Sequence, residues 1–141
     1  MTTQPSGSVM IVGGGVAGIQ AAMDLADSGF YVYLVEKTPA IGGVMGQLDK
    51  TFPTIDCSMC ILSPYLVSAG RHPNIALVTY AQLESVTGEP GHFKAVVKKK
   101  ARSIDIARCT GCRSCVDACP VTLARDLPAS KHSFLQGGPH D

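Results

Sequence analysis

Hydrophobic positions at the front of the chain come in short unbroken runs. Val9-Met10-Ile11-Val12 is the first, and Phe30 to Val35 is the second. Runs of this length fit strands buried within a parallel sheet. Between them Ile19, Ala22, Met23 and Ala26 recur at helical spacing, which predicts a helix from about Val16 to Asp27 ended by Ser28-Gly29. Further along, Ile75 to Thr79 predicts another parallel strand. Leu83–Thr87 and His92–Val97 predict a hairpin around Gly88-Glu89-Pro90-Gly91. The order is strand, helix, strand, with a hairpin appended, and it places the chain in the α/β class.

Chemistry enters where the first strand meets the helix. Gly13-Gly14-Gly15-Val16-Ala17-Gly18 supplies G-x-G-x-x-G through Gly13, Gly15 and Gly18. In that pattern the first glycine makes the tight turn and the second lets backbone approach a pyrophosphate. The third brings helix and strand together, and the helix N-terminus offers unpaired N–H groups to the phosphates. Glu36 closes the second run, 18 residues beyond Gly18. That is close to the roughly 20-residue offset at which an acid accepts hydrogen bonds from ribose hydroxyls. A lone glycine pattern is often a flexible turn; strand, helix and acid together point to a dinucleotide. The acid disfavours a 2′-phosphate, leaving FAD or NAD. Glu36 is followed after five residues by Gly42-Gly43, an arrangement that resembles two-dinucleotide-domain flavoproteins and so implies FAD.

Six cysteines fall in two places. Cys109, Cys112, Cys115 and Cys119-Pro120 spell C-x₂-C-x₂-C-x₃-C-P, the spacing by which bacterial-type ferredoxins hold 4Fe–4S clusters. A structural zinc knot needs two C-x₂-C pairs separated by a longer loop, which this stretch lacks. With one such run, a single cluster is expected, and Cys119 is its default fourth ligand. The other pair, Cys57 and Cys60 in Asp56-Cys57-Ser58-Met59-Cys60, is open to three readings. It forms a redox-active disulfide beside a flavin at a helix start, or supplies a ligand to a cluster, or consists of buried thiols packing as small hydrophobes.

Composition sets outer bounds. Of 141 residues, 45% are hydrophobic and 16% charged, enough apolar content for a modest core. A formal net charge of +1 gives no general case for nucleic acid as a partner. No run approaches the roughly 20 apolar residues a membrane-spanning helix needs. Met1 to Ser8 lacks the basic start of a secretory leader, and cysteines at cluster spacing suit a reducing compartment, so a cytoplasmic location is expected. Lys98-Lys99-Lys100 with Arg102 reads as a solvated strand end, or else a docking patch for an acidic partner. His72, His92, His132 and His140 show no metal-ligand spacing and read as surface or loop residues.

Together these stretches resemble the heterodisulfide reductase A-subunit family. The matching segments are Val12–Ala21, Val32–Lys37, Gly46–Pro53, Asp56–Leu62, Arg71–Ile75 and Cys109–Cys112, within residues 8 to 122. The resemblance implies an electron-transfer flavo-iron–sulfur subunit with FAD and a 4Fe–4S cluster, working with other subunits of a heterodisulfide reductase-like complex; self-association is a further expectation. It implies FAD contacts at Gly13, Gly15, Gly18, Glu36, Lys37 and Gly43, and cluster ligation by Cys109, Cys112, Cys115 and Cys119. The expected organisation is a Rossmann-like FAD-binding half-domain over residues 8–103, a parallel sheet with a β-hairpin. A small ferredoxin-like iron–sulfur segment follows over 104–124, and a flexible tail over 125–141. Family members continue for hundreds of residues beyond these motifs, so this chain is expected to hold the ADP moiety without enclosing the isoalloxazine. Two rival functions are an electron relay or assembly subunit without flavin, and an FAD-linked thiol–disulfide oxidoreductase using Cys57 and Cys60.

Overall fold

The computed structural model describes residues 7–118. Cys119 and the expected tail lie outside the described residues. The chain divides into two units, residues 1–101 and 102–141.

In the first unit, strand β1 (Ser8–Val12) runs through the glycine turn into helix α1 (Val16–Asp27) and returns as β2 (Tyr31–Glu36). A 3₁₀ turn and helix α2 (Ser58–Arg71) then lead to β3 (Ile75–Thr79). The three strands form a parallel sheet in the order β1-β2-β3, with Val12 beside Val35 and Val35 beside Val78. β2 is central, which is why its hydrophobic run is continuous: Val32, Leu34 and Val35 are all buried. Alternation places Val32 and Leu34 under the helices and Tyr31 and Tyr33 on the opposite face, their rings in edge contact 5.1 Å apart.

Both crossover helices pack on one face of the sheet. Ile19, Ala22 and Ala26 of α1 meet Leu62 and Ala69 of α2 over Val32 and Leu34, one continuous core. Small residues at 22, 26 and 69 let the helices approach, and each fully buried Ile, Leu or Val contributes about 1.5–3 kcal/mol. The predicted helix is found with the same bounds. Strand β2 runs one residue later than expected at each end, because Gly29-Phe30 is taken up in the turn that closes α1.

Helix α2 was not predicted at its full length. Pro64 lies inside it, where its missing N–H cannot serve the Cys60 carbonyl. Burial of Leu62 and Ala69 against α1 outweighs that local cost. His72 ends α2, half-buried at the start of the loop to β3 and held at both ring nitrogens. Its Nδ1 accepts the Asn74 N–H at 3.1 Å, which makes Nε2 the donor to Asp27 at 3.2 Å.

Strands β4 (Ala81–Glu89) and β5 (His92–Lys99) form the hairpin, longer than expected and turning at Pro90-Gly91, with an irregularity between Leu83 and Ser85. The basic run is its exposed end: Lys98 pairs loosely with Glu84 at 3.6 Å, and the Lys100 ammonium lies over the Tyr80 ring at 5.3 Å. In the second unit, a 3₁₀ turn (Ile106–Arg108) and the four-residue helix α3 (Ser114–Asp117) flank a loop.

Candidate functional site: a glycine turn, a helix-start thiol pair and a thiol loop

The glycine turn is held to its neighbours by backbone and by one carboxylate. Gly13 N–H donates to the Val35 carbonyl at 2.7 Å, locking the turn to the central strand. Gly18 shows why the third glycine of the pattern is required, since a Cβ there would run into the Gly13 carbonyl oxygen. Gly15 is the N-cap of α1 and caps it with no side chain, so the first-turn N–H groups remain available. A Cβ on Gly15 would meet nothing within 4 Å on its outer side. This open backbone beside an uncapped helix N-terminus is the shape a pyrophosphate requires.

Glu36 fixes the other wall. Its carboxylate accepts the Gly14 N–H at 2.6 Å on Oε2, and the Thr38 N–H at 2.8 Å on Oε1. The Thr38 hydroxyl lies 2.8 Å from Oε1 and 2.7 Å from the Ala40 carbonyl, so its single proton serves one of them at a time. Burial by itself would push the acid up. The hydrogen bonds from Thr38 and Gly14 outweigh it and hold the carboxyl below its ordinary value. An ionised carboxylate with a lone-pair site left over is suited to a ribose hydroxyl.

Gly42 and Gly43 close the cradle. Gly42 N–H donates to the Gly14 carbonyl at 2.7 Å, and a Cβ on Gly43 would come within 2.9 Å of the Gly15 Cα. The turn thus brings together Gly13, Gly15, Gly18, Glu36 and Gly43, while Lys37 is exposed just beyond the acid. Gly14 and Thr38 were missed. Gly14 occupies a variable position of the pattern, yet a Cβ there would sit 2.7 Å from Ile41 Cγ2. Next to the start of α1 lies a largely apolar cavity of about 520 Å³, lined by Val16, Ala17, Met45, Ile61, Leu62 and Tyr65 among others.

Cys57 is the N-cap of α2, and its Sγ accepts the Cys60 N–H at 3.3 Å. Ser58 between them is fully buried, its hydroxyl donating to the Leu48 carbonyl and its N–H to the Asp49 carbonyl at 3.1 Å. Cys57 also bridges to Lys50 in an antiparallel pair. Both cysteines are exposed free thiols, which corrects the reading of them as buried packing residues. Hydrogen bonds from the Cys60 thiol and N–H lower the Cys57 thiol, and the same contact raises Cys60.

In the second unit, Cys109, Cys112 and Cys115 line a cavity of about 570 Å³ together with Ile104, Thr110 and Gly111. Left-handed backbone at Gly111 (φ 74°) and Arg113 (φ 68°) curls the loop that carries these cysteines. Hydrogen bonding from the Ser114 hydroxyl, 3.4 Å away, and from the Ser114 N–H and the Thr110 hydroxyl lowers the Cys112 thiol to about 7. No three His, Cys, Asp or Glu side chains among the described residues converge closely enough for a single metal ion. Three thiols at the C-x₂-C-x₂-C spacing around one cavity are the donor set a 4Fe–4S cluster takes. The fourth cysteine of the run, Cys119, lies outside the described residues.

Residues 8–54 match the family of FAD dependent oxidoreductases, and residues 100–121 match the 4Fe-4S binding domain. The A subunit of the H(2):CoB-CoM heterodisulfide,ferredoxin reductase of Methanothermobacter marburgensis is 60% identical over 114 residues, 81% of this chain. An iron-sulfur A subunit of the CoB--CoM heterodisulfide reductase of Methanopyrus kandleri is 55% identical over 120 residues, 85% of this chain. The chain belongs to the heterodisulfide reductase A-subunit family. It spans 17% and 18% of the length of those two relatives. Among solved structures, L-proline dehydrogenase from P. horikoshii superposes with a TM-score of 0.53 at 23% identity, over 65% of this chain and 19% of that one. That likeness shows the fold: a Rossmann-type α/β domain. This member of the family therefore carries an FAD-dependent oxidoreductase segment and a 4Fe–4S binding domain. No helix among its described residues is long and apolar enough to cross a membrane.

Proposed function

We propose that this chain is an electron-transfer flavo-iron–sulfur module that holds the ADP half of FAD at the glycine turn and one 4Fe–4S cluster in the thiol loop. The observation that carries the reading is the open backbone at Gly15, beside an uncapped helix and an ionised, braced Glu36. Bound FAD supplies exchange of one or two electrons, and a 4Fe–4S cluster exchange of one. The chain's own residues do the positioning. First-turn N–H groups of α1 offer a positive end to the pyrophosphate, and Glu36 orients the adenosine ribose. Gly43, packed on Gly15, closes the turn from the side. In the loop, Cys109, Cys112 and Cys115 would hold the cluster, with Cys119 as the fourth ligand. Thr110 and Ser114 donate toward Cys112, stabilising thiolate sulfur and tuning the potential.

The relatives are subunits by name, and this chain is proposed to work likewise with other subunits of a heterodisulfide reductase-like complex, in the cytoplasm. The test is anaerobic purification followed by a visible spectrum, iron and sulfide analysis, and assay of flavin released on denaturation. Flavin bands over a broad absorption, with about four iron and four sulfide per chain, are expected for a single cubane. Colourless protein carrying zinc would overturn the reading.

A further inference from the structure

Five of the chain's twelve lysines and arginines fall between Lys94 and Arg102, with no acid between Glu89 and Asp105. Elsewhere the balance reverses, with seven cations against all eleven acids. The hairpin register then sorts these charges. Successive side chains of a strand point to opposite faces, so Lys94, Val96 and Lys98 of β5 share one face. Lys100 extends the same row, because its N–H donates to the Tyr80 carbonyl at 2.8 Å and its ammonium lies over the Tyr80 ring. The row is roughly 20 Å long, at about 3.3 Å per residue. Val96, in its middle, is 46% exposed. Phe93, Ala95 and Val97 take the opposite face with Lys99. The row also has a fixed root. Tyr80 N–H donates to the Thr38 carbonyl at 2.9 Å, which ties the base of the hairpin to the turn that braces Glu36. Its counter-charges hold it only loosely. Lys98 meets Glu84 across 3.6 Å with both side chains at least half exposed, and no ion pair holds Lys94 among the described residues. An exposed pair of that kind is weak and is readily exchanged for a partner's carboxylate.

We propose that the face of the hairpin carrying Lys94, Lys98 and Lys100 is a docking surface for an acidic protein, one that sets carboxylates around an apolar contact on Val96. Cations around a small apolar centre have the make-up of a protein–protein contact, in which the charged rim steers the encounter and the centre excludes water. Nucleic acid fits less well, because Glu84 and Glu89 of the partner strand flank the row and would repel phosphates. A membrane surface fits less well too. The exposed apolar side chains Phe93 and Val86 lie on the opposite face, so a hairpin seated on lipid would turn these lysines away from it. The surface does not depend on flavin or cluster being bound.

The test uses the full chain, purified without oxygen, and a fluorescent peptide with glutamates on either side of a central leucine as the probe. Binding is followed by anisotropy across a salt series. The peptide should bind at low salt, weaken as salt rises, and fail to bind when its glutamates are replaced by glutamines. Changing Lys94→Glu, Lys98→Glu and Lys100→Glu together should weaken binding at least about tenfold. Lys98→Glu alone should weaken it more than Lys50→Glu, which makes the same change of charge outside the hairpin. Val96→Ser should weaken binding and leave its salt dependence unchanged, a split that diffuse charge attraction does not produce. Acetylation footprinting of wild type supplies a readout that needs no variant to fold: the peptide should protect Lys94, Lys98 and Lys100 more than Lys37 and Lys50. Equal protection of all five, equal weakening by Lys98→Glu and Lys50→Glu, or no binding at low salt would overturn the proposal. So would tighter, Lys98-dependent binding of a thymidine oligonucleotide or of phosphatidylserine vesicles, which would make the face a nucleic-acid or membrane contact. Flavin and iron are counted in the same samples, so a failure of the electron-transfer reading shows separately from a failure of docking.

Discussion

The Glu36 carboxylate reaches back 22 residues to accept the Gly14 N–H at 2.6 Å. The acid expected to wait for a ribose is thus already a structural member, shaping the turn before any nucleotide arrives. Its loss should be felt in stability as well as in binding. Glu36→Ala leaves the Gly14 and Thr38 N–H groups without their acceptor, at a cost of about 1–3 kcal/mol for each that stays dry. Glu36→Gln keeps one acceptor oxygen for Gly14, and its amide can donate to the Thr38 hydroxyl; only the Thr38 N–H then faces a donor. Thermal unfolding should therefore rank wild type above Glu36→Gln and Glu36→Ala last, and FAD retention should follow the same order.

The same carboxylate sets a pH dependence. Its folded pKa is depressed, so the folded state binds the proton less readily than the unfolded chain does. Its stabilising contribution is then fully present above the unfolded value, about 4.3 for glutamate, and is lost as pH falls through the lower folded one. Denaturant midpoints should be flat near neutrality and should decline below about pH 5, where unfolded glutamate begins to take up protons. In Glu36→Gln this part of the decline should disappear. An identical acid limb in the variant would assign the effect to other carboxylates.

Much of this was legible in the residues because the signals were local. The run Val9–Val12, the glycines and the apolar stripe of α1 each specify their own element, and α1 has the predicted bounds. The thiol loop was legible for the same reason: cluster spacing is a property of adjacent positions. Helix α2 was not, because Pro64 breaks the local pattern and only burial of Leu62 and Ala69 against α1 restores it. The bracing of Glu36 by Gly14 and Thr38 was also hidden. It depends on a strand end and a turn meeting in space, and a variable position in a motif gives no hint that it admits no side chain.

Gly14 supplies a sharper test of that hidden constraint. A Cβ there would lie 2.7 Å from Ile41 Cγ2 and 3.2 Å from Glu36 Cβ and Oε2. Gly14→Ala should destabilise by about 1–3 kcal/mol through overpacking. Because the tightest of these contacts is the tip of a side chain, Ile41→Ala in the same chain should relieve part of it. The double variant should be less destabilised than the sum of the two singles, a coupling readable from denaturant midpoints. Strict additivity would mean that the backbone shifts and not Ile41.

Ser114 offers a test of the thiol loop that does not remove a ligand. Its hydroxyl lies 3.4 Å from Cys112 Sγ, and its N–H also favours the thiolate there. Donors to ligand sulfur stabilise the more negative, reduced cluster and so raise the potential. Ser114→Ala removes the hydroxyl and leaves the N–H, so the cluster should assemble with unchanged iron content and a more negative midpoint. Cys112→Ser, by contrast, should lose most of the bound iron. An anaerobic redox titration followed by electron paramagnetic resonance separates the two effects. Unchanged midpoints in Ser114→Ala alongside iron loss in Cys112→Ser would leave Cys112 as a ligand and remove Ser114 from the tuning of its sulfur.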